Sequence, residues 1–137
     1  MSDQSASVIT NALEPHPSKV TLTHVIYGLH ALSIVIGLLT SATVIGSFLG
    51  GIPSIGAVIL NYINRASVRG TYLDSHFSWQ IRTFWFAFLW VLISVMLIFT
   101  IIGIVFAVPA LIVVWVWIIY RVARGWLRLN AKEPMPI

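Results

Sequence analysis

A chain of 137 residues is about one domain long, and an ordinary soluble domain of that size carries roughly a quarter charged side chains. Here 58% of the residues are hydrophobic, 9% are charged and the mean hydropathy is +0.94. Eight Lys/Arg and four Asp/Glu cannot clothe so apolar a chain in water, which excludes a soluble enzyme, a disordered tail and a nucleic-acid module and leaves lipid as the outer solvent. There are no cysteines, so disulfides, thiolate metal sites and cysteine-linked lipids are excluded too.

Residues 1–20 are polar, mixed in charge and interrupted by Pro15 and Pro17, which predicts a mobile tail. No short apolar stretch follows a basic start, so the first hydrophobic segment reads as a retained anchor and not as a signal peptide. From Leu22 to Ile63 there is no Lys, Arg, Asp or Glu. About 20 residues cross the hydrocarbon, so this run holds two crossings, with a break at Thr40-Ser41-Ala42-Thr43. A competing division makes one long tilted crossing to Leu49, followed by a half-helix starting at Gly50-Gly51-Ile52-Pro53; hydropathy does not choose between them.

Residues 64–82 form a charged loop. Within it, 72–82 has the pattern of an amphipathic helix lying in the interface, with Leu73, Phe77 and Ile81 on one side, continued by Phe84 and Phe88, and Asp74, Ser78 and Arg82 on the other. Thr71 followed by Asp74 fits a capped helix start. The plain reading is an anchor; the sharper one is a docking face for another protein, made of His76, Trp79, Gln80 and Arg82.

A second uncharged run, Thr83 to Tyr120, also holds two crossings, with Gly103 and Pro109 expected at the turn. The predicted fold is thus an all-α polytopic membrane protein. Its membrane domain, 21–123, has crossings at about 22–40, 44–63, 83–103 and 106–122, with the amphipathic helix before the third. Residues 124–137 are expected to be a basic cytoplasmic tail. Arg65, Arg69 and Arg82 flank the central loop, and Arg121, Arg124, Arg128 and Lys132 follow the last crossing. Bases stay on the cytoplasmic side, so four crossings place both termini in the cytoplasm, whereas three would put the N-terminus outside.

Several residues carry chemistry worth weighing. Ser33, Gly37 and Ser41, and likewise Ala42, Gly46 and Gly50, repeat every fourth residue, the spacing of small residues that lets helices approach closely in lipid. Arg121, Arg124, Trp126 and Arg128 are placed to meet anionic headgroups. His24 and His30 lie in an apolar run but turn to different faces, and no carboxylate shares their span. A neutral, hydrogen-bonded His30 packed against another helix is favoured over a proton relay or a metal ligand. No acid/base pair, activated nucleophile or phosphate loop is present, so neither catalysis nor a cofactor is expected.

The hydrophobic hairpin, Gly51-Ile52-Pro53 leading into Leu60-Asn61-Tyr62-Ile63 and basic residues, and then Tyr72-Leu73-Asp74-Ser75-His76-Phe77-Ser78-Trp79-Gln80-Ile81-Arg82 before a new span together resemble a family of small bacterial membrane proteins of unknown function. That family is distantly similar to the four-helix subunits of the chloroplast inner-envelope import translocon, the Tic family. The resemblance covers roughly residues 22–125. Commoner members carry an Asn-Phe-Gln triplet further beyond the histidine; here Ser78-Trp79-Gln80 comes sooner and the Asn is missing. It implies a multi-pass protein of the bacterial cytoplasmic (inner) membrane without an established catalytic residue. The functional expectation is a noncatalytic accessory or scaffold subunit whose partners are the lipid bilayer and another membrane protein or a second copy of the chain, with no nucleic acid. The alternative is a component of a transporter, channel or protein-translocation complex, with the hydroxyls of Thr40, Ser41, Thr43, Ser47 and Ser54 lining a path.

Overall fold

The computed structural model describes residues 14–40, 44–100 and 102–136, with side chains placed except at 44–49 and 104. Four α-helices are described: α1 (Pro17–Thr40), α2 (Val44–Asn64), α3 (Tyr72–Ile98) and α4 (Gly103–Asn130), with a 3-10 turn at Arg65–Val68 between α2 and α3. No strand occurs among the described residues. Three of the helices, Pro17–Thr40, Tyr72–Ile98 and the Val105–Asn130 part of α4, are long and apolar enough to cross a membrane. At ~1.5 Å per residue each exceeds the ~30 Å hydrocarbon thickness. No more than a third of the most apolar window of any of them is buried inside the protein, so most of that hydrocarbon faces outward, as lipid requires and water forbids.

The ends of the helices follow from local chemistry. Pro17 stands at the first position of α1, where its missing N–H costs nothing, and the His16 ring accepts the Ser18 N–H at 3.2 Å. The helix therefore starts inside the stretch 1–20 expected to be a tail. Between α2 and α3 the chain reverses at Gly70, whose φ of +78° is open to glycine and strained for other residues. Thr71 then caps α3, its hydroxyl accepting the Leu73 N–H at 3.3 Å. The cap falls where the sequence puts it, but α3 runs unbroken to Ile98, so 72–82 is the first part of one long helix.

Two boundaries need correction. The segments 83–103 and 106–122 expected around a turn at Gly103 and Pro109 become helices 72–98 and 103–130, the first closed by Phe99 and Thr100 and the next starting after Ile102. Gly103 opens α4 directly after Ile102, where a Cβ would collide with the Leu97 carbonyl, whereas Pro109 lies inside α4. A proline is tolerated within an apolar helix where neighbouring groups satisfy the freed carbonyl. The expected tail at 124–137 is helical to Asn130. In the first half, α1 stops at Thr40 and α2 spans Gly50–Pro53 without a break, so the division into one helix to Leu49 and a half-helix is not the one adopted.

The helices pair as two hairpins, α1 with α2 and α3 with α4, joined mainly through α1. Small residues set the approach: a Cβ on Gly50 would lie 2.8 Å from the Gly37 Cα, and one on Gly37 would strike the Trp115 ring. A Cβ on Gly125 would strike the Tyr27 ring. The core between the hairpins holds Ile26, Tyr27, Ala57, Val68, Leu73 and Phe77, closed by Val122 and Leu129. Because α1 and α4 run antiparallel with Gly37 opposite Trp115, about two and a half turns of α4 extend past the end of α1. That overhang is studded with exposed Phe99, Ile102, Val105 and Phe106.

Candidate functional site

The polar groups of this apolar chain converge where the hairpins meet. On α1, Thr23, Tyr27, His30, Ser33 and Gly37 are three or four residues apart and all buried, so they form one helical face. With lipid outside, it is the polar face that turns inward. Thr23 returns its hydroxyl to the Lys19 carbonyl at 2.7 Å. His30 Nδ1 meets Ser54 Oγ at 2.9 Å, and the Ser54 backbone N–H donates to Ser33 Oγ at 2.8 Å. These bonds lock α1 to α2 just after Pro53. His30 is therefore hydrogen-bonded against a neighbouring helix, as the sequence leads one to expect.

One turn earlier, the Tyr27 hydroxyl lies 2.9 Å from His76 Nδ1, and His76 Nε2 lies 2.7 Å from the Glu133 carbonyl. A carbonyl only accepts, so Nε2 carries a proton; in a neutral ring Nδ1 then accepts the Tyr27 O–H. Trp126 stacks on Tyr27, with centroids 6.4 Å apart, and donates its indole N–H to His24 Nδ1 at 3.1 Å. After Asn130 the chain turns through Lys132, at φ +56°, and folds back so that the Met135 N–H reaches Ser75 Oγ at 2.9 Å. Met135 is buried. Residues 133–135 thus seal the beginning of α3.

Deeper along α4, Arg121 is held in a closed ring. Its Nε donates to Thr83 Oγ1 at 2.7 Å, that hydroxyl donates to the Trp79 carbonyl at 2.7 Å, and the Trp79 indole donates to the Arg121 carbonyl at 3.1 Å. The guanidinium carbon sits 3.5 Å from the Trp79 ring centroid, a cation–π contact. Beside it, Tyr27, His30, Trp79, Gln80, Thr83 and Arg121 line a partly open cavity with room for about one water molecule. Of these lining residues, His30 Nε2, both amide atoms of Gln80 and Arg121 Nη2 are buried without a hydrogen-bond partner, behind a cavity wall that is almost wholly apolar.

The expected docking face does not stand as one outward surface. His76 and Gln80 are buried and Trp79 is half-buried, leaving Arg82 as the exposed member. The physical reason is the inversion noted above, since a polar stripe beside lipid is driven into the bundle. Of the expected packing residues, Ser33, Gly37 and Gly50 lie at the α1–α2 contact; Ser41 and Ala42 lie outside the described residues, and Gly46 is in the backbone of α2 where no side chains are described. Among the expected headgroup contacts, Arg121 points to Trp79 and Thr83, Trp126 to His24, and Arg128 to the Pro134 carbonyl and Glu133. Arg124 is half-buried with its guanidinium on Tyr120. These side chains bind the protein's own helices more than the sequence implies. Of the hydroxyl row, Ser54 is spent on His30 and Thr40 on the Ile36 carbonyl; Ser41 and Thr43 lie outside the described residues, and Ser47 is among the side chains not described.

Sequence reasoning passed over the Tyr27–His76 pair and the Gln80–Arg121 cavity. The inward stripe on α1 was readable from its spacing, but the partners of Ser33, His30 and Tyr27 come from 21 to 49 residues away, which no local pattern reports. Comparison with protein families, curated proteins and solved structures finds no match to the chain.

Proposed function

We propose that the chain is a noncatalytic accessory or scaffold subunit of the bacterial cytoplasmic membrane. In this reading α2, 21 residues without a charge, is the fourth crossing, and both termini and the 65–71 turn face the cytoplasm. The observation that carries it is the overhanging α3–α4 hairpin, whose exposed aromatic and branched side chains offer a second membrane protein a surface to pack on, while the polar groups inside are mostly occupied in joining helices. The resemblance to small multi-pass proteins of the Tic-related kind supports the same reading. A transport component is the second reading, favoured by the partly open cavity beside His30, Gln80 and Arg121 and by the unpartnered polar atoms those residues carry. Purification in mild detergent followed by reconstitution separates the two. A stoichiometric protein partner and vesicles with no ion or solute flux support the scaffold; flux that disappears in Gln80→Leu supports transport and refutes the scaffold.

A further inference from the structure

We infer that the protein thins the bilayer beside its first hairpin, drawing water and the headgroups of the outer leaflet down to the tip of α1 and α2, about halfway through the hydrocarbon. This rests on the four-crossing reading above and adds a partner to it, the lipid surface itself. The inner boundary is marked by arginines. Arg82 is exposed, and Arg121 and Arg124 stand over Trp79, Trp117 and Tyr120. Charge on a lipid-facing surface sits at headgroup level, within the belt of Trp and Tyr. From Arg82 to Phe99, the cap of α3, is 17 residues, and from Arg121 back to Gly103, the start of α4, is 18, a rise of about 26 and 27 Å. The second hairpin therefore fits a hydrocarbon layer of ~30 Å.

The first hairpin does not. Three contacts fix the register of α1 on α4: the Trp126 indole donates to His24, and Cβ atoms on Gly125 and Gly37 would strike Tyr27 and Trp115. Arg121 is thereby level with Ala31, and α1 ends at Thr40, only nine residues or about 14 Å further toward the outer face. With Gly50 packed on Gly37, α2 starts at the same height. The connecting residues Ser41, Ala42 and Thr43 are small and mostly hydroxyl-bearing, a sequence suited to water. The last carbonyls of α1 and the first N–H groups of α2 need partners that hydrocarbon does not supply. Each such group left unpaired costs far more than deforming lipid by an ångström, so the lipid gives way and the outer surface dips to the tip.

Single probes in the cysteine-free chain measure the dip, with Thr40→Cys at the tip and Phe106→Cys on the overhang. Phe106 is exposed and precedes Trp115 by nine residues, which turns it to the opposite side of α4; it stands about 9 Å nearer the outer face than Thr40. Each full-length variant is labelled in intact cells with a membrane-impermeant maleimide. It is then reconstituted, carrying a fluorophore at the same position, into phosphatidylglycerol–phosphatidylcholine vesicles with nitroxides on the headgroup or deep on the acyl chain. Position 40 is expected to label at least about tenfold faster than position 106, because a thiol reacts as its thiolate and that needs water. Headgroup nitroxides should quench position 40 and acyl-chain nitroxides position 106, so that the deeper residue reads as the shallower. Leu39→Cys, also exposed, repeats the measurement should Thr40→Cys fail to fold. Fast labelling at both positions would seat the bilayer on the first hairpin, refuting the thinning and leaving the four crossings intact. A position 40 closed from both sides and quenched by acyl-chain nitroxides would end the hairpin inside hydrocarbon, and the thinning and the fourth crossing would fail together.

Discussion

The hydroxyl of Tyr27 on α1 and Nδ1 of His76 on α3 lie 2.9 Å apart in the buried centre of the molecule, joining the two hairpins across 49 residues of sequence. The bond ties the first hairpin to the chain's last residues, because the far nitrogen of the same ring donates to the Glu133 carbonyl. Tyr27→Phe removes the donor and strands Nδ1, for an expected loss of about 1–2 kcal/mol. Thermal unfolding in detergent measures it, and His76→Phe combined with Tyr27→Phe should cost less than the sum of the two single changes.

Adjacent glycines in α2 make a matched pair. Gly50→Ala must push α2 away from the Gly37 backbone, whereas a Cβ on Gly51 meets nothing within 4 Å. Gly50→Ala is expected to destabilise by about 1–3 kcal/mol through overpacking, and Gly51→Ala to be neutral or stabilising by up to about 1 kcal/mol through helix propensity. Melting temperatures of the two variants, side by side, decide it.

Trp79 supports Arg121 through its ring face and its indole N–H. Trp79→Phe keeps a face and loses the N–H; Trp79→Leu loses both. Stability should fall in the order wild type, Phe, Leu, with about 0.5–2 kcal/mol assigned to the cation–π contact. Equal losses for Phe and Leu would show that the ring face contributes nothing.

Folding back of the terminal residues places the Met135 N–H on Ser75 Oγ and buries the methionine. Met135→Asp should release that segment and expose the start of α3. Hydrogen exchange at residues 72–77 is expected to quicken at least tenfold while the middle of α4 keeps its protection.

Much of the scaffold was legible because helix length, apolar runs and the Thr71 cap are local properties. The Gly37–Gly50 approach was legible from small-residue spacing, and the hydrogen-bonded state of His30 from its place in an apolar run. What the pattern could not give was direction. A helical wheel separates polar from apolar residues, but with lipid outside both kinds are found inside: Leu73 and Phe77 are buried alongside His76 and Gln80, while Phe88 is exposed. Arg121 and Trp126 were placed at the headgroups by their distance along the chain, and the structure turns both to partners on other helices, Thr83 and His24. Met135 sits beyond any periodic segment, so its burial left no signal.

In the proposed topology two apolar hairpins thread the bilayer with their tips on one face and the charged turns on the other. Because the chain has no cysteine, single cysteines at 67, 100 and 132 are clean probes for a membrane-impermeant thiol reagent in intact cells. Labelling is expected at 100 from outside, and at 67 and 132 only after permeabilisation. Labelling of 67 and 100 from the same side would contradict it.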